Sequence, residues 1–332
     1  IVETEEEEDE NENENELFLD LSKFERQEII SKGDVTKLYK FKEIETGKIF
    51  SGQMSMQKVH KITKKESEEL SKELKIIKMM NHPSLLTFVG FSLIDFKKEH
   101  KPVIVTEYSS NGSLLDILEV ERTNKSIPEW NDTKKLINIY GIASAMSYLH
   151  SHDIIHRSLK PSTIYLDEIL TPKIGDFGLS TRFNNSENIT HQSITGVKAT
   201  PLYSAPEVLQ MNEYTKSSDV YAFAFIVYEI LTNEIPFNDL PNQNLIFNEV
   251  VNKQNRPKFN KKIPDVYRKL IENCWSQDPS ERPSFDDIVY HLKVDENFIT
   301  NNINNDDYQK YINFINEQIN KKTDLQKVQE NE

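Results

Sequence analysis

The sequence predicts an α+β protein in two lobes, a small β-rich lobe with one long helix and a larger α-helical lobe. Two observations predict this. From Phe24 to about Phe96 the chain is mostly short strand-like runs, interrupted once by a long helical pattern. After Asn111–Gly112 the apolar residues recur at helical spacing instead. With 332 residues and 37% hydrophobic content there is enough apolar material for a substantial core.

The elements follow in order. Phe24–Ile30, Lys37–Ile44 and Lys48–Met54 read as strands, the last two joined by the turn Glu45–Thr46–Gly47. Thr63 with Glu66 three residues on is a capping-box start, and Leu70, Leu74 and Ile77 follow at helical spacing until His82–Pro83 stops the helix. Strands are expected again near Leu85–Leu93 and Val103–Tyr108, so the first lobe covers about 24–107, with a hinge near Glu107–Gly112. In the second lobe, about 112–292, Thr133–His150 sets Leu136, Tyr140, Ala143 and Ser147 on one helix face. Lys216–Leu231 is nearly all apolar, the mark of a helix buried all round. Further helices are expected near Asn244–Val251, Val266–Ser276 and Phe285–Leu292. The Asn/Lys-rich end, 293–332, predicts one amphipathic helix with Tyr308, Tyr311, Ile312, Ile315 and Ile319 on a face expected to pack back on the domain, with partner binding as the alternative.

Charge is unevenly spread. Residues 3–16 carry ten acids and no base, out of a net −14 for the whole chain, so the rest stands at only −4. Such a block repels itself and has nothing to bury, so 1–16 is expected to be a disordered tail. A solvated arm is the expectation on composition, with docking to a basic partner as the alternative. No basic face points to nucleic acid. The longest apolar run, Tyr221 to Leu231, is broken by Glu229 and too short to span a bilayer. No secretory signal is visible, and the single cysteine, Cys274, fits a reducing compartment. A cytoplasmic protein without membrane or nucleic-acid partners is expected. The first residue, Ile1, reads as the start of a fragment of a longer chain.

Five landmarks in the second half carry a resemblance. His156–Arg157–Ser158–Leu159–Lys160–Pro161, Asp176–Phe177–Gly178, Ala205–Pro206–Glu207, Asp219 and Arg282 occur in that order. They resemble the catalytic loop, the metal-binding motif, the end of the activation segment, and the buried Asp and Arg of protein kinases. The resemblance covers about Phe24 to Leu292. Leu159–Lys160–Pro161 is Ser/Thr-like, whereas Cys274–Trp275 through Arg282–Pro283 is similar to the tyrosine-kinase side; that mixture resembles the tyrosine-kinase-like group.

The resemblance implies a site, and the residues depart from it. Phosphoryl transfer depends on positioning and charge neutralisation by a few named parts. Of three glycines expected in the phosphate loop only Gly33 remains, with Ser31 and Thr36 at the others and Asp34 adding a negative charge. The phosphate lysine of the third strand is Gln53, while its helix partner Glu73 is retained, either in that role or as a solvent-facing acid. Lys58 is a weak substitute; Lys32 or Lys37 from the loop is another. The catalytic Asp is Ser158, whose high-pKa hydroxyl is no base near pH 7. The metal-binding Asn is Thr163, a weaker one-oxygen ligand, while Lys160 is retained. Asp176 remains as the metal carboxylate or as a neighbour of the packing residue Phe177.

For the nucleotide, the resemblance assigns Gly33, Leu38, Ser51, Thr106, Glu107, Ser109 and Tyr165, with Ser51 and Tyr165 altered from the usual Ala and Leu. ATP and Mg²⁺ are therefore the implied cofactors, with weak or absent binding expected. The resemblance implies that the structural set is retained: Ile77, Phe88, His156 and Phe177 at the positions of the family's inter-lobe stack anchored by Asp219, Glu207 as the partner of Arg282, and Arg157 as the residue that in the family can hold a phosphorylated segment. Ser186, Thr190, Ser193 and Thr195 lie in that segment as acceptors or as ordinary loop residues. The expectation is a pseudokinase, a scaffold or allosteric regulator whose partners are other signalling proteins, an active kinase among them. The alternatives are an atypical Ser/Thr kinase using Lys32 or Lys37, and a nucleotide-gated switch without turnover.

Overall fold

The computed structural model describes residues 18–33, 36–58, 64–125, 127–175, 201–211, 213–242 and 245–329, with the backbone alone at 64–69, 72, 73 and 322–329. The acidic tail, Asp34, Thr63, Asp176, Phe177 and the four hydroxyl residues between 186 and 195 lie outside the described residues, as does the Glu73 side chain. The chain divides into two compact units. One holds the described residues up to Asn81 together with Leu86–Ser109; the other holds His82–Leu85 and the described residues from Ser110 onward.

The first unit is an antiparallel sheet of β1 (Phe24–Lys32), β2 (Thr36–Glu43), β3 (Ile49–Ser55), β4 (Phe88–Ser92) and β5 (Val103–Glu107), in the order β1-β2-β3-β5-β4. One side of it is the core: Phe24, Tyr39, Phe41, Phe50, Met54, Val103 and Val105 are buried together. Alternation along β3 sends Phe50 and Met54 to that side. Gly52 lies between them because a Cβ there would meet the Phe41 ring at 2.2 Å. Helix α1 (Lys64–Met79) buries Leu70, Leu74 and Ile77, one stripe at helical spacing. Leu19 N–H donates to Phe91 O at 2.7 Å, so the incoming chain pairs with the edge strand β4.

The second unit is helical. It contains α2 (Leu114–Arg122), α3 (Asp132–Ser151), the hairpin β6 (Ile164–Leu166) and β7 (Pro172–Ile174), then α4 (Pro206–Met211), α5 (Lys216–Thr232), α6 (Asp265–Cys274), α7 (Phe285–Val294) and α8 (Asn305–Gln329). Helix α5 is buried on every side from Ser218 to Ile230, as its apolar run requires. Phe223 meets Phe285 of α7 edge-on at 5.4 Å, and Phe225 meets Trp275 at 5.6 Å. Tyr308, Ile312 and Ile315 of α8 are buried, with Tyr308 edge-on to Tyr140 of α3 at 5.8 Å.

Three local features differ from the sequence reading. Helix α2 starts at a capping box: Ser113 N–H donates to the Asp116 carboxylate at 2.7 Å, and Asp116 N–H donates back to Ser113 Oγ at 3.3 Å. The hairpin β6–β7 is too short for a period to show. Near Asn244–Val251, where a helix is expected, the chain is helical but takes the π form over Asn248–Asn252. There Asn252 Nδ2 donates to Asn248 Oδ1 at 3.0 Å, and Asn255 Nδ2 donates to Glu249 at 2.7 Å. Local side-chain bonding of this kind competes with a regular ladder.

Candidate functional site

Directly opposed residues of an antiparallel pair project from the same side of the sheet. Leu38 stands opposite Gln53, Ser51 opposite Thr106, and Gln53 opposite Ile104. Leu38, Ser51, Gln53 and Thr106 therefore share the side away from Phe41 and Phe50. Four positions assigned separately from the sequence thus fall on one face. Gly33 N–H donates to Thr36 O at 2.9 Å, closing the β1–β2 connection at the end of that face.

Register runs against the alternative in which Lys32 or Lys37 substitutes for Gln53. Lys37 stands opposite both Lys32 and the core residue Met54, which sets both lysines on the other side of the sheet. Lys40 shares the Gln53 side, but its Nζ lies 3.3 Å from the Glu28 carboxylate and 5.6 Å from the Tyr108 ring centre. The Lys58 ammonium lies 2.8 Å from Glu99, which also pairs with Lys101 at 2.7 Å. Bonds from Lys101 and Lys58 pull the Glu99 carboxyl down to about 2.

At the end of β5, Thr106 Oγ1 donates to the Glu107 carbonyl at 3.2 Å. Glu107 N–H donates to Thr87 O at 2.9 Å, and the Glu107 carboxylate accepts Thr87 N–H at 3.0 Å. The chain leaves the sheet in this orientation through the half-buried Ser109. The backbone at Glu73 is helical, one turn before the buried Ile77. Phe88 stands opposite Thr106 at the start of β4.

In the second unit the loop 156–163 is organised by Asp219, only 2% exposed. Its carboxylate accepts His156 N–H at 2.8 Å and Arg157 N–H at 2.9 Å, and lies 2.9 Å from His150 Nε2. Two main-chain donors on one carboxylate hold Arg157 in the left-handed region, at φ 64°. The fully buried His156 receives Ser158 N–H on Nδ1 at 3.3 Å and, in the matching tautomer, donates from Nε2 to Gly175 O at 2.9 Å. His150 gave no signal in the sequence, because it lies at the end of an ordinary helical pattern.

Thr163, expected as a weaker one-oxygen metal ligand, bonds its own loop in this structure. Its hydroxyl, 3% exposed, is turned into the loop: it donates to Ser158 O at 3.1 Å or Lys160 O at 3.0 Å, and accepts Lys160 N–H at 3.2 Å. Tyr165 stands half-buried opposite Lys173 in the β6–β7 hairpin and bridges Ser113.

Further along, Arg282 makes a two-pronged bond to Glu207 at 2.7 and 2.9 Å, its side chain fully buried. Its Nε donates to Ser276 O at 2.9 Å, and its guanidinium lies 5.0 Å from the Tyr221 ring centre. The Arg157 guanidinium lies 5.7 Å from the ring centre of Tyr214. One buried acid was legible only as an interruption of an apolar run. Glu229 accepts Tyr203 O–H at 2.6 Å and pairs with Arg122. Burial raises its carboxyl above the ordinary range.

The chemistry available is uneven. Leu38, Ser51 and Thr106, the positions the resemblance assigns to the nucleotide base, share one sheet face. In the first unit Gln53 is neutral; in the second, Ser158 offers no base near pH 7 and the Thr163 hydroxyl bonds its own loop.

A family model for the protein kinase domain matches residues 24–292. Curated relatives include "Probable serine/threonine-protein kinase drkC" of Dictyostelium discoideum, 35% identical over 68% of this chain and 29% of that protein. "Dual specificity protein kinase pyk3" of the same organism is 34% identical over 77% of this chain and 19% of its own length. "Mitogen-activated protein kinase kinase kinase 13-B" of Xenopus laevis is 31% identical over 75% of this chain and 24% of its own length. This chain thus spans less than a third of each of these relatives. Among the described residues no helix is long and apolar enough to cross a membrane.

Proposed function

The chain belongs to the protein kinase domain family, and from that premise we propose that it is a pseudokinase of the tyrosine-kinase-like group, keeping the kinase scaffold without phosphoryl transfer. The observation that carries this is the register around Gln53. The lysines weighed as substitutes either share the opposite side of the sheet, as Lys32 and Lys37 do, or pair with an acid, as Lys40 and Lys58 do. Ser158 and the inward-turned Thr163 support the same reading. A scaffold acts through its surface, so its partners are other signalling proteins, an active kinase among them. The relative named as a mitogen-activated protein kinase kinase kinase supports the group assignment.

A second reading, a nucleotide-gated switch without turnover, is favoured by the shared sheet face of Leu38, Ser51 and Thr106. Thermal unfolding with and without ATP and Mg²⁺ separates the two. A ligand that binds only the folded state at about 100 times its Kd adds roughly 2.7 kcal/mol, a rise of a few degrees in Tm. The scaffold reading expects no shift at millimolar nucleotide. A shift that needs both ATP and Mg²⁺ overturns it in favour of the switch, with Asp176 as metal ligand.

A further inference from the structure

Helix α8 lies beyond the residues matched by the kinase family, and it carries a polar contact that its apolar packing does not require. Tyr308, Ile312 and Ile315 already bury one face of the helix. Tyr311 adds a hydroxyl, 2.9 Å from Ser84 Oγ. The space it enters exists because α3 has a glycine there. A Cβ on Gly141 would stand 2.5 Å from that hydroxyl, 2.7 Å from Pro172 Cγ and 3.1 Å from Ser84 Oγ. Glycine weakens a helix interior, so its presence under the Tyr311 hydroxyl is a cost carried for that contact. Burial raises the Tyr311 hydroxyl above its ordinary range, so it stays neutral, and either hydroxyl of the pair can donate.

From Ser84 the bonds continue toward the candidate site. Ser84 O accepts Ile174 N–H at 2.8 Å. Gly175, next in the chain, donates its N–H to Thr163 O at 2.8 Å and accepts from His156 Nε2 at 2.9 Å. Asp176 follows directly. Ser84 N–H also donates to His82 Nδ1 at 3.0 Å, and His82 Nε2 meets Ser144 Oγ of α3 at 3.0 Å. One run of hydrogen bonds therefore joins the tail helix, the segment His82–Leu85, strand β7 and the 156–163 loop.

We propose that α8 is a regulatory strap: the Tyr311–Ser84 bond couples the docking of the C-terminal helix to the order of β7 and of the chain leading into Asp176. Release of α8, by anything that binds it in its undocked form, then loosens β7 and the loop it touches. The coupling is internal to the second unit and holds whether or not nucleotide binds.

Amide hydrogen exchange on the full chain tests it. Tyr311→Phe removes the hydroxyl and leaves the ring, so α8 stays docked and its own amides near Ile315 serve as the check. The amides of Ile174 and Gly175 are expected to exchange about fivefold faster, the worth of one net hydrogen bond, with those of α5 unchanged. Ser84→Ala should give the same acceleration, and the double variant no more than either single one. Unchanged exchange at Ile174 and Gly175, a uniform acceleration that includes α5, or fully additive effects would each overturn the strap and leave α8 as packing alone.

Discussion

Thr163 donates its side-chain hydroxyl to the main-chain carbonyl of Ser158, 3.1 Å away. In the proposed pseudokinase reading, Ser158 and Thr163 take the positions of the catalytic Asp and the metal-binding Asn, here a neutral hydroxyl and a loop-closing one. Restoring one cannot restore the pair, because groups that act as a unit are not additive. Ser158→Asp alone is expected to leave phosphoryl transfer at background. A clear gain in that single variant, measured with labelled ATP, would defeat the multiple-loss account.

Asp219 holds the His156–Arg157 backbone with two charge-assisted bonds while itself almost fully buried. Asp219→Ala leaves both amides without their acceptor. The expected cost is about 3 kcal/mol or more, read as a drop in the midpoint of urea unfolding with an unchanged slope. A loss below about 1 kcal/mol would mean that water replaces the carboxylate freely.

Glu207 and Arg282 form the second staple. Glu207→Ala strands a fully buried guanidinium and is expected to cost about 3–5 kcal/mol. Glu207→Ala with Arg282→Met removes both charges, so the double variant should be more stable than Glu207→Ala alone. Equal or additive losses would show that the Ser276 and Ser217 carbonyls, not Glu207, neutralise Arg282.

His82 makes stability pH-dependent. Burial, with Lys173 adding to it, pushes its imidazole down from the ordinary 6.5 to about 3, so the folded state keeps it neutral. Below pH ~6.5 the unfolded chain takes up a proton that the folded one refuses, so stability falls as pH drops from there toward about 3. At about pH 5 the loss from this one group is about 2 kcal/mol. His82→Asn keeps an acceptor for Ser84 N–H and cannot titrate. Its stability should fall by about 2 kcal/mol less than that of the natural chain between about pH 7 and pH 5. Identical falls would place the titration elsewhere.

Much of this was legible in the chain, for identifiable reasons. Strand alternation alone placed Phe50 and Met54 inward, and the apolar run through Phe223 and Phe225 gave a helix buried on all sides. The landmark residues Asp219, Glu207 and Arg282 stood in order along the sequence and meet their partners in space. What a linear reading could not supply was side-chain direction. Lys32 and Lys37 are close in sequence to the phosphate loop, yet pleating sets them on the far side of the sheet from Gln53. Thr163 differs from the expected Asn by size, and only the loop's geometry shows its hydroxyl bonded to its own backbone. Tyr311 read as one more apolar position on an amphipathic helix; its hydroxyl matters because Ser84, 227 residues away, lies beneath it.

The most direct measurement is transfer of labelled γ-phosphate from ATP to a generic protein substrate. The purified natural chain and its Asp176→Asn variant would be run side by side, so that a contaminating kinase registers equally in both. The account predicts equal, background transfer in the two preparations. Transfer by the natural chain that disappears with Asp176→Asn would contradict it and make this chain an active kinase despite Gln53 and Ser158.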